Sequence, residues 1–197
     1  MTSSGVARGR EFPRKTLHLT TAVVPIGLWA GVPQRAVAAA LVMLFGVACG
    51  VEVGRRHSPA FATWFNNTVG AMLRPREAAN GVTGATWLLA AFALACLAAP
   101  LHAAIAATWA GAVGDGAATI VGRAWSRRRA STGKTLAGSL SCATATALGA
   151  LMLAGAGGAS AIAVGVVAAA AERPAVDIDD NVRVTLTVAL AALLLRI

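Results

Sequence analysis

Seven apolar runs, separated by short polar segments, make up most of this 197-residue chain. Hydrophobic residues account for 57% of the chain and charged residues for only 13%, about half of what a soluble domain carries. Some runs are shorter than the roughly 20 residues needed to cross a bilayer, but a short helix can still cross where the bilayer thins. The sequence therefore predicts an all-α, polytopic membrane protein of about seven short transmembrane helices in a single domain, 1–197. The predicted spans are residues 17–31, 35–51, 82–99, 101–122, 135–155, 159–171 and 182–195.

The segment 59–72 has a different pattern from the spans. Its large apolar residues recur at helical spacing, and polar residues lie between them. These apolar residues are Phe61, Trp64, Phe65, Val69 and Met72. An amphipathic helix of this kind lies in the membrane interface rather than across the membrane. The sequence therefore predicts one interfacial helix in addition to the seven spans.

Charge is distributed unevenly along the chain. With seven spans, all of the 17 lysines and arginines except Arg35 and Arg196 fall on or beside one face of the membrane. The positive-inside rule makes this face cytoplasmic. The net charge of +9 could also suit nucleic acid, but aromatic residues are few and tyrosine is absent, so a base-stacking surface is not expected. The eight acidic residues lie on or near the same face, which suggests a metal–phosphate site there.

Asp115 is the one acidic residue inside an apolar run. It is flanked by Gly114 and Gly116, and it shares a helix face with Thr119 and Gly122. A carboxylate at membrane depth is costly and is a candidate functional residue by default. The alternative is a buried aspartate that is satisfied by a basic side chain or by backbone groups.

The basic segment 123–134 ends in Ser131-Thr132-Gly133-Lys134-Thr135, which suggests a phosphate loop. A Walker motif is rejected, because Arg128 occupies the position of its first glycine and no strand precedes it. Glycine, lysine and hydroxyl groups at a helix N-terminus can still bind phosphate. The alternative is a solvated loop whose arginines only set the topology.

Two further clusters flank the spans. Arg14, Lys15 and His18 lie on adjacent turns at the start of the first span. Glu172 and the acidic segment that contains Asp180 lie between the last two spans. Basic residues that flank a span, together with an interfacial histidine, would explain the first cluster, and an exposed acidic loop would explain the second.

Together these motifs resemble the family of CTP-dependent lipid kinases that includes diacylglycerol kinase of the yeast type, phytol kinase and dolichol kinase. The specific part is Gly114-Asp115-x-x-Ala118-x-x-x-Gly122-Arg123, followed by Gly133-Lys134-Thr135-x-x-Gly138-Ser139. The weaker matches are Arg14-Lys15-x-x-His18, Glu52-x-x-Arg55, Arg74-x-x-Glu77, Thr83-Gly84-Ala85, and Glu172 with Asp180-Asn181. In this order the motifs cover most of the chain.

The resemblance implies a membrane-embedded lipid kinase domain with its active site at the cytoplasmic face. Such an enzyme would transfer the terminal phosphate of CTP, or of another nucleoside triphosphate, to the hydroxyl of diacylglycerol, a phytol-like alcohol or a polyprenol. It would use Mg²⁺ or a similar cation, held by Asp115 with Glu172 or Asp180 as a second ligand. Asp115, Lys134 and His18 would be catalytic, although a carboxylate could replace His18 as the base. The residues expected to contact the nucleotide are Arg14, Lys15, Gly114, Gly122, Arg123, Gly133, Thr135, Gly138 and Ser139.

Two other functions fit parts of the pattern. Phosphatidate cytidylyltransferases share a related aspartate and glycine-lysine-threonine block and also consume CTP. They normally carry a longer C-terminal signature, whereas this chain has Asp179-Asp180-Asn181-Val182-Arg183. An ion-coupled transporter would place a cation or a proton at Asp115, but it predicts inverted repeats and several charged spans, and neither is found in the sequence. The kinase is therefore the preferred hypothesis.

Overall fold

The computed structural model describes residues 18–79, 81–125, 134–173 and 178–197. Within these ranges all regular secondary structure is helical and there is no β-strand, which confirms the prediction of an all-α fold. A helical turn at residues 18–20 comes first. The helices that follow it are α1 (Val23–Trp29), α2 (Gln34–His57), α3 (Pro59–Val69), α4 (Pro75–Ala78), α5 (Gly84–Ala98), α6 (Leu101–Trp109), α7 (Asp115–Trp125), α8 (Leu136–Met152), α9 (Gly158–Glu172) and α10 (Asp180–Leu194).

Each of the seven apolar runs contains a helix. The fourth run is one continuous helix, Leu101–Trp125, because a π-helical segment joins α6 to α7. Within the described ranges, two helices are long and apolar enough to cross a membrane, namely α2 and Leu101–Trp125. The shorter apolar helices are His18–Trp29, Gly84–Ala98, Leu136–Met152 and Gly158–Glu172.

The centre of the bundle is built from small residues. Ala103, Ala106 and Ala107 of α6 have no exposed surface, and α6 packs against α1, α5, α8 and α10. Residues without bulky side chains let helix backbones approach closely. The contact between α8 and α9 is equally tight, because a Cβ atom added to Gly165 would overlap the backbone carbonyl of Ala143. Alanine and glycine therefore set the spacing of the helices.

The periphery of the bundle is apolar at α2. Only 17% of the apolar stretch of α2 is buried, against 67% for Leu101–Trp125. Val42, Met43, Leu44 and Val47 are all exposed along it. A helix in the core of a soluble protein would bury such a face, and a large exposed apolar patch marks contact with another apolar phase or partner. Thus α2 lies at the edge of the bundle, and the helix Leu101–Trp125 lies inside it.

A π-helical segment, Ala110–Gly114, precedes Asp115 directly. A π turn accommodates an extra residue in the helix and occurs frequently at functional sites. A Cβ atom on Gly114 would lie 2.5 Å from Oγ1 of Thr146 on α8, and one on Gly111 would overlap Oγ1 of Thr185 on α10. The neighbouring helices therefore pack closely on the segment from two sides and fix the direction in which Asp115 points.

The amphipathic segment forms α3 and then a 3₁₀ turn, Gly70–Met72. Ser58 caps α3 by accepting a hydrogen bond from the Phe61 amide (3.3 Å), and Pro59 occupies the first turn. The Phe61 ring would lie 3.2 Å from a Cβ atom on Gly54, so α3 packs on the end of α2. The predicted helix is confirmed, and its position at a membrane interface stays a prediction.

Candidate active site

Asp115 is buried, with 1% of its surface exposed, at the first residue of α7. His18 lies beside it, with Nε2 3.7 Å from Oδ2 of Asp115. The same Nε2 is 2.7 Å from the Gly111 carbonyl oxygen. A carbonyl oxygen only accepts, so Nε2 carries a proton and donates it to this bond. In the neutral ring, Nδ1 is therefore the nitrogen that can accept a proton.

Leu19 anchors the helical turn that carries His18. A Cβ atom on Gly116 would lie 2.6 Å from Cδ2 of Leu19, so the leucine side chain sits directly on the α7 backbone. A larger residue at position 116 would push this turn away from α7. Gly116 thus contributes to the pairing of His18 with Asp115 by letting the two segments meet.

Three predicted site residues come together near Cys142 on α8. Cys142 is fully buried, and the charges of Asp115, Glu172 and Lys134 all lie close enough to act on its thiol. Gly114 also packs against Cys142, because a Cβ atom added to Gly114 would lie 3.5 Å from the Cys142 Sγ atom. Two acids and one lysine that are far apart in sequence therefore all influence one buried thiol of α8.

Lys134 and Glu172 form an ion pair between Nζ and Oε1. Glu172 is 4% exposed at the end of α9, and Lys134 comes just before Thr135, the N-cap residue of α8. A buried carboxylate without a partner would be strongly destabilising, and Lys134 supplies that partner. A phosphate group that enters here would share Lys134 with Glu172.

The predicted nucleotide-binding residues Gly122, Thr135, Gly138 and Ser139 lie where α7 meets α8. Thr135 Oγ1 accepts a hydrogen bond from the Gly138 amide (3.1 Å) and so caps α8. A Cβ atom added to Gly122 would lie 2.7 Å from Thr135 Oγ1, and a Cβ atom added to Gly138 would lie 2.8 Å from the Ala118 carbonyl oxygen. Both glycines therefore serve the close contact of two helices. Within the described ranges the buried hydroxyl of Ser139 has no hydrogen-bond partner, which is unusual for a buried polar group.

The remaining predicted nucleotide-binding residues are Arg14, Lys15, Gly114, Arg123 and Gly133. Arg14, Lys15 and Gly133 lie outside the described residues. Arg123 is exposed in the last turn of α7. Gly114 lies in the π segment against Thr146, and its contacts are with helix α8.

A second polar cluster is buried at the end of α2. Glu52 accepts hydrogen bonds from the Thr83 amide (2.8 Å), from Thr86 Oγ1 (3.1 Å) and from Arg55 Nη1 (2.9 Å). Arg55 also donates from Nη2 to the backbone carbonyl of Glu77 at 2.6 Å. Glu52 and Arg55 are 6% and 5% exposed. This bonded pair ties α2 to α4 and to the start of α5.

Two arginines and two aspartates join the segment around α4 to the start of α10. Arg74 pairs with Asp179 (2.9 Å) and Asp180 (3.1 Å), and Arg76 pairs with Asp179 (2.9 Å). Burial acts to lower the pKa of Arg74, but Asp180 and Asp179 outweigh it and raise that pKa. Burial and the neighbouring Asp180 raise the pKa of Asp179, against the effect of Arg74. The predicted metal ligand Asp180 thus lies in an ion-pair cluster with Arg74.

Two sets of ion pairs join polar segments of the bundle. The Arg74–Asp179 pair joins the α4 segment to the start of α10, and the Lys134–Glu172 pair joins the start of α8 to the end of α9. Among the described acids, Glu172, Asp179 and Asp180 therefore each lie beside a basic partner.

A cavity of about 370 Å³ lies between the turn at His18, α3 with its 3₁₀ turn, the start of α5, and α10. Phe65, Val69 and Met72 reach it from the α3 side, and Leu88 reaches it from α5. His18 lines it as well, so the cavity adjoins the Asp115 site. No motif in the sequence predicted this cavity. The helical spacing of the apolar residues at 65, 69 and 72 shows the shared face, but not that the face borders a void.

The residues around Asp115 can be compared with the ligands that a divalent cation requires. Within the described ranges, no group of three or more His, Cys, Asp or Glu side chains is arranged to hold a metal. Mg²⁺ usually needs only one or two carboxylates, because water and substrate phosphates complete its shell. Asp115, with Glu172 near the same cysteine, fits that requirement, and the unpartnered Ser139 hydroxyl offers a further oxygen near α8.

Comparisons with known proteins do not assign this chain to a family. No protein-family model, curated protein or solved structure matches it. The lipid-kinase resemblance therefore rests on the motifs alone.

Proposed function

We propose that the protein is a membrane-embedded kinase that transfers the terminal phosphate of a nucleoside triphosphate, CTP by resemblance, to a lipid alcohol. One observation carries the proposal. Asp115, a carboxylate with 1% of its surface exposed inside an apolar run of the sequence, lies 3.7 Å from His18 Nε2. Buried ionisable groups of this kind are expensive, and they are expected where chemistry requires them.

In this proposal Asp115 would hold Mg²⁺, with Glu172 or Asp180 as the second ligand. The cation, when bound, neutralises phosphate charge and polarises the phosphoryl group. Lys134 and the Ser139 hydroxyl bind phosphate oxygens near the N-terminus of α8, where the helix dipole favours negative charge. Either second ligand would share its carboxylate with a basic partner, which is Lys134 for Glu172 and Arg74 for Asp180.

The reaction transfers one phosphoryl group. The lipid oxygen bonds to the terminal phosphorus, the bond from that phosphorus to the bridging oxygen breaks, and the nucleoside diphosphate leaves. The hydroxyl proton passes to His18 Nδ1, because Nε2 already carries the proton that it donates to Gly111. The bond from Nε2 to Gly111 also holds the ring in place during this transfer.

The proposed setting is a bilayer that the chain crosses several times, with the site at the cytoplasmic face. The exposed apolar side chains of α2 support contact with lipid. The ion pairs Arg74–Asp179 and Lys134–Glu172 support a single polar end, and the positive-inside rule assigns that end to the cytoplasm.

Single cysteines at positions 4 and 131, in a background without Cys49, Cys96 and Cys142, test this topology. In sealed, right-side-out vesicles an impermeant maleimide should label Ser4→Cys and Ser131→Cys only after permeabilisation. Ala159→Cys, exposed at the start of α9, serves as the control and should be labelled without it. Labelling of position 4 or 131 in sealed vesicles would contradict the proposed orientation.

CTP labelled at the γ-phosphorus tests the proposed reaction. With Mg²⁺ and a panel of lipid alcohols, label should move into the chloroform-soluble product, and CDP should form in equal amount. The panel should contain diacylglycerol, phytol and a polyprenol, each with and without the protein. Supplying phosphatidate instead, with CTP labelled at the α-phosphorus, tests the alternative. Release of all γ label as pyrophosphate, with α label entering the lipid, would mean a cytidylyltransferase.

A further inference from the structure

We propose that the cavity beneath α3 binds the hydrocarbon chain of a long-chain alcohol and places the hydroxyl of that alcohol at His18; naming the alcohol as substrate rests on the proposed function. The cavity volume of about 370 Å³ falls within the range of small-molecule pockets, roughly 300–1,000 Å³. This assigns the α3 face a specific partner, one lipid chain.

The cavity suits a chain rather than a polar head group. Its apolar wall comes from Phe65, Val69 and Met72 on the α3 side and from Leu88 on α5. Apolar pockets of this kind gain most from the burial of hydrocarbon. The occupant is therefore apolar over most of its length.

Several polar groups that line the cavity are engaged within its wall. Glu77 accepts from the backbone amides of Arg74 (2.8 Å) and Gly84 (3.1 Å). Asn181 Nδ2 donates to the Gly84 carbonyl (3.1 Å) and to Asp179 Oδ1 (2.8 Å). Arg74, which also lines the cavity, pairs with Asp179 and Asp180. A sugar or phosphate head group would have to compete with these contacts.

His18 belongs to both the cavity and the Asp115 site. It lines the cavity, and its Nε2 lies 3.7 Å from Asp115 Oδ2. A chain in the cavity would thus end beside the ring that accepts the hydroxyl proton. The shared residue orients the substrate, because the apolar part lies on one side of His18 and the charged site lies on the other.

Two exposed tryptophans favour the bilayer as the source of this chain. Trp64 on α3 is 58% exposed and Trp87 on α5 is 41% exposed, on the two helices that form the cavity wall. Tryptophan is enriched where membrane proteins meet the lipid head groups. The two tryptophans therefore support the bilayer, rather than the aqueous phase, as the source of the chain.

Photolabelling tests the site without requiring catalysis. The probe is a long-chain alcohol with a diazirine near the middle of its chain, added to the purified full chain in lipid nanodiscs and mapped by mass spectrometry. Label should fall on the α3–3₁₀ segment and on the start of α5, and unlabelled alcohol should displace it. Val69→Trp, which fills the cavity from α3, should lower this labelling roughly tenfold. Ala85→Trp should do the same from α5.

Thr68→Trp is the matched control, since Thr68 is exposed on the same helix and does not line the cavity. It should label as the unaltered protein does. Label confined to the outer surface of α2, or equal label in the Val69→Trp and Thr68→Trp variants, would overturn the site. The γ-phosphate assay is read separately: labelled cavity without phosphate transfer would refute the kinase and leave the chain site standing. If Val69→Trp and Ala85→Trp both leave phosphate transfer unchanged, the cavity does not bind the substrate chain, and the kinase proposal stands.

Discussion

Asp115→Asn is expected to lower γ-phosphate transfer at least about 100-fold while leaving the protein folded. The substitution keeps the size of a side chain that is 1% exposed, so packing around α7 should change little. It removes the negative charge that the proposed Mg²⁺ complex requires. Loss of one preorganised electrostatic contact to the reacting group typically costs about 10²–10³ in rate. The measurement is initial velocity at saturating CTP and alcohol, with the Mg²⁺ dependence recorded for each variant.

Glu52→Gln is the matched control for Asp115→Asn. It also neutralises a buried carboxylate, but Glu52 lies in the polar cluster with Arg55 and Thr83, apart from the proposed chemistry. It should lower thermal stability and retain its turnover per folded molecule within about threefold. If Asp115→Asn keeps more than a few per cent of the activity, Asp115 is a structural partner of His18 and the metal lies elsewhere.

Arg55→Leu is expected to lower the stability of the fold more than Glu52→Gln or Arg56→Leu. Arg55 is 5% exposed, pairs with Glu52, donates to the Glu77 carbonyl, and lies with its guanidinium 4.6 Å from the centre of the Phe65 ring. Removing it leaves the Glu52 carboxylate buried without its cation, which typically costs about 3–5 kcal/mol. The apparent melting temperature in detergent should fall by roughly 10 °C, followed through tryptophan fluorescence.

Arg56→Leu provides the comparison for Arg55→Leu, because the two arginines are adjacent in sequence and Arg56 is exposed. A surface substitution of this kind usually changes stability by no more than about 0.5 kcal/mol. Equal melting temperatures for the two variants would show that the Glu52–Arg55 pair contributes nothing to the fold. Loss at Arg55 alone would identify the pair as a clamp between α2 and α4.

The helices were predictable because apolar runs and polar breaks are local properties of the sequence. The run at 101–122 and the helix Leu101–Trp125 begin at the same residue, and the amphipathic spacing at 59–72 found α3. Asp115 could be found because one carboxylate inside an apolar run is conspicuous. The π segment before it has no comparable local signal, since it depends on the packing of Thr146 and Thr185 against it.

The partners of the site residues were not predictable in the same way. Sequence order does not say which polar segment docks on which, and so Glu172 and Asp180 were equal candidates beside Asp115. In the fold both acids have a basic partner, since Lys134 pairs with Glu172 and Arg74 pairs with Asp180. The glycines were ambiguous for the same reason, since a close backbone approach to phosphate and a close approach to another helix both exclude a side chain. At Gly122 and Gly138 the structure shows a close approach between two helices.

The π segment lets the helix Leu101–Trp125 hold one extra residue without changing the direction in which its second half faces. Each residue of an α-helix turns the chain by about 100°, so winding the same residues as a regular α-helix would rotate everything after Gly114 by about that angle. The helix would remain long and apolar, and its insertion would be unaffected, but Asp115 would leave His18 and Gly122 would leave its contact with α8. Deleting one residue from Ala110–Gly114 would instead remove the need for the π turn and keep Asp115 beside His18. In a homologue, a one-residue gap here would therefore mark a regular α-helix whose carboxylate has kept its neighbour.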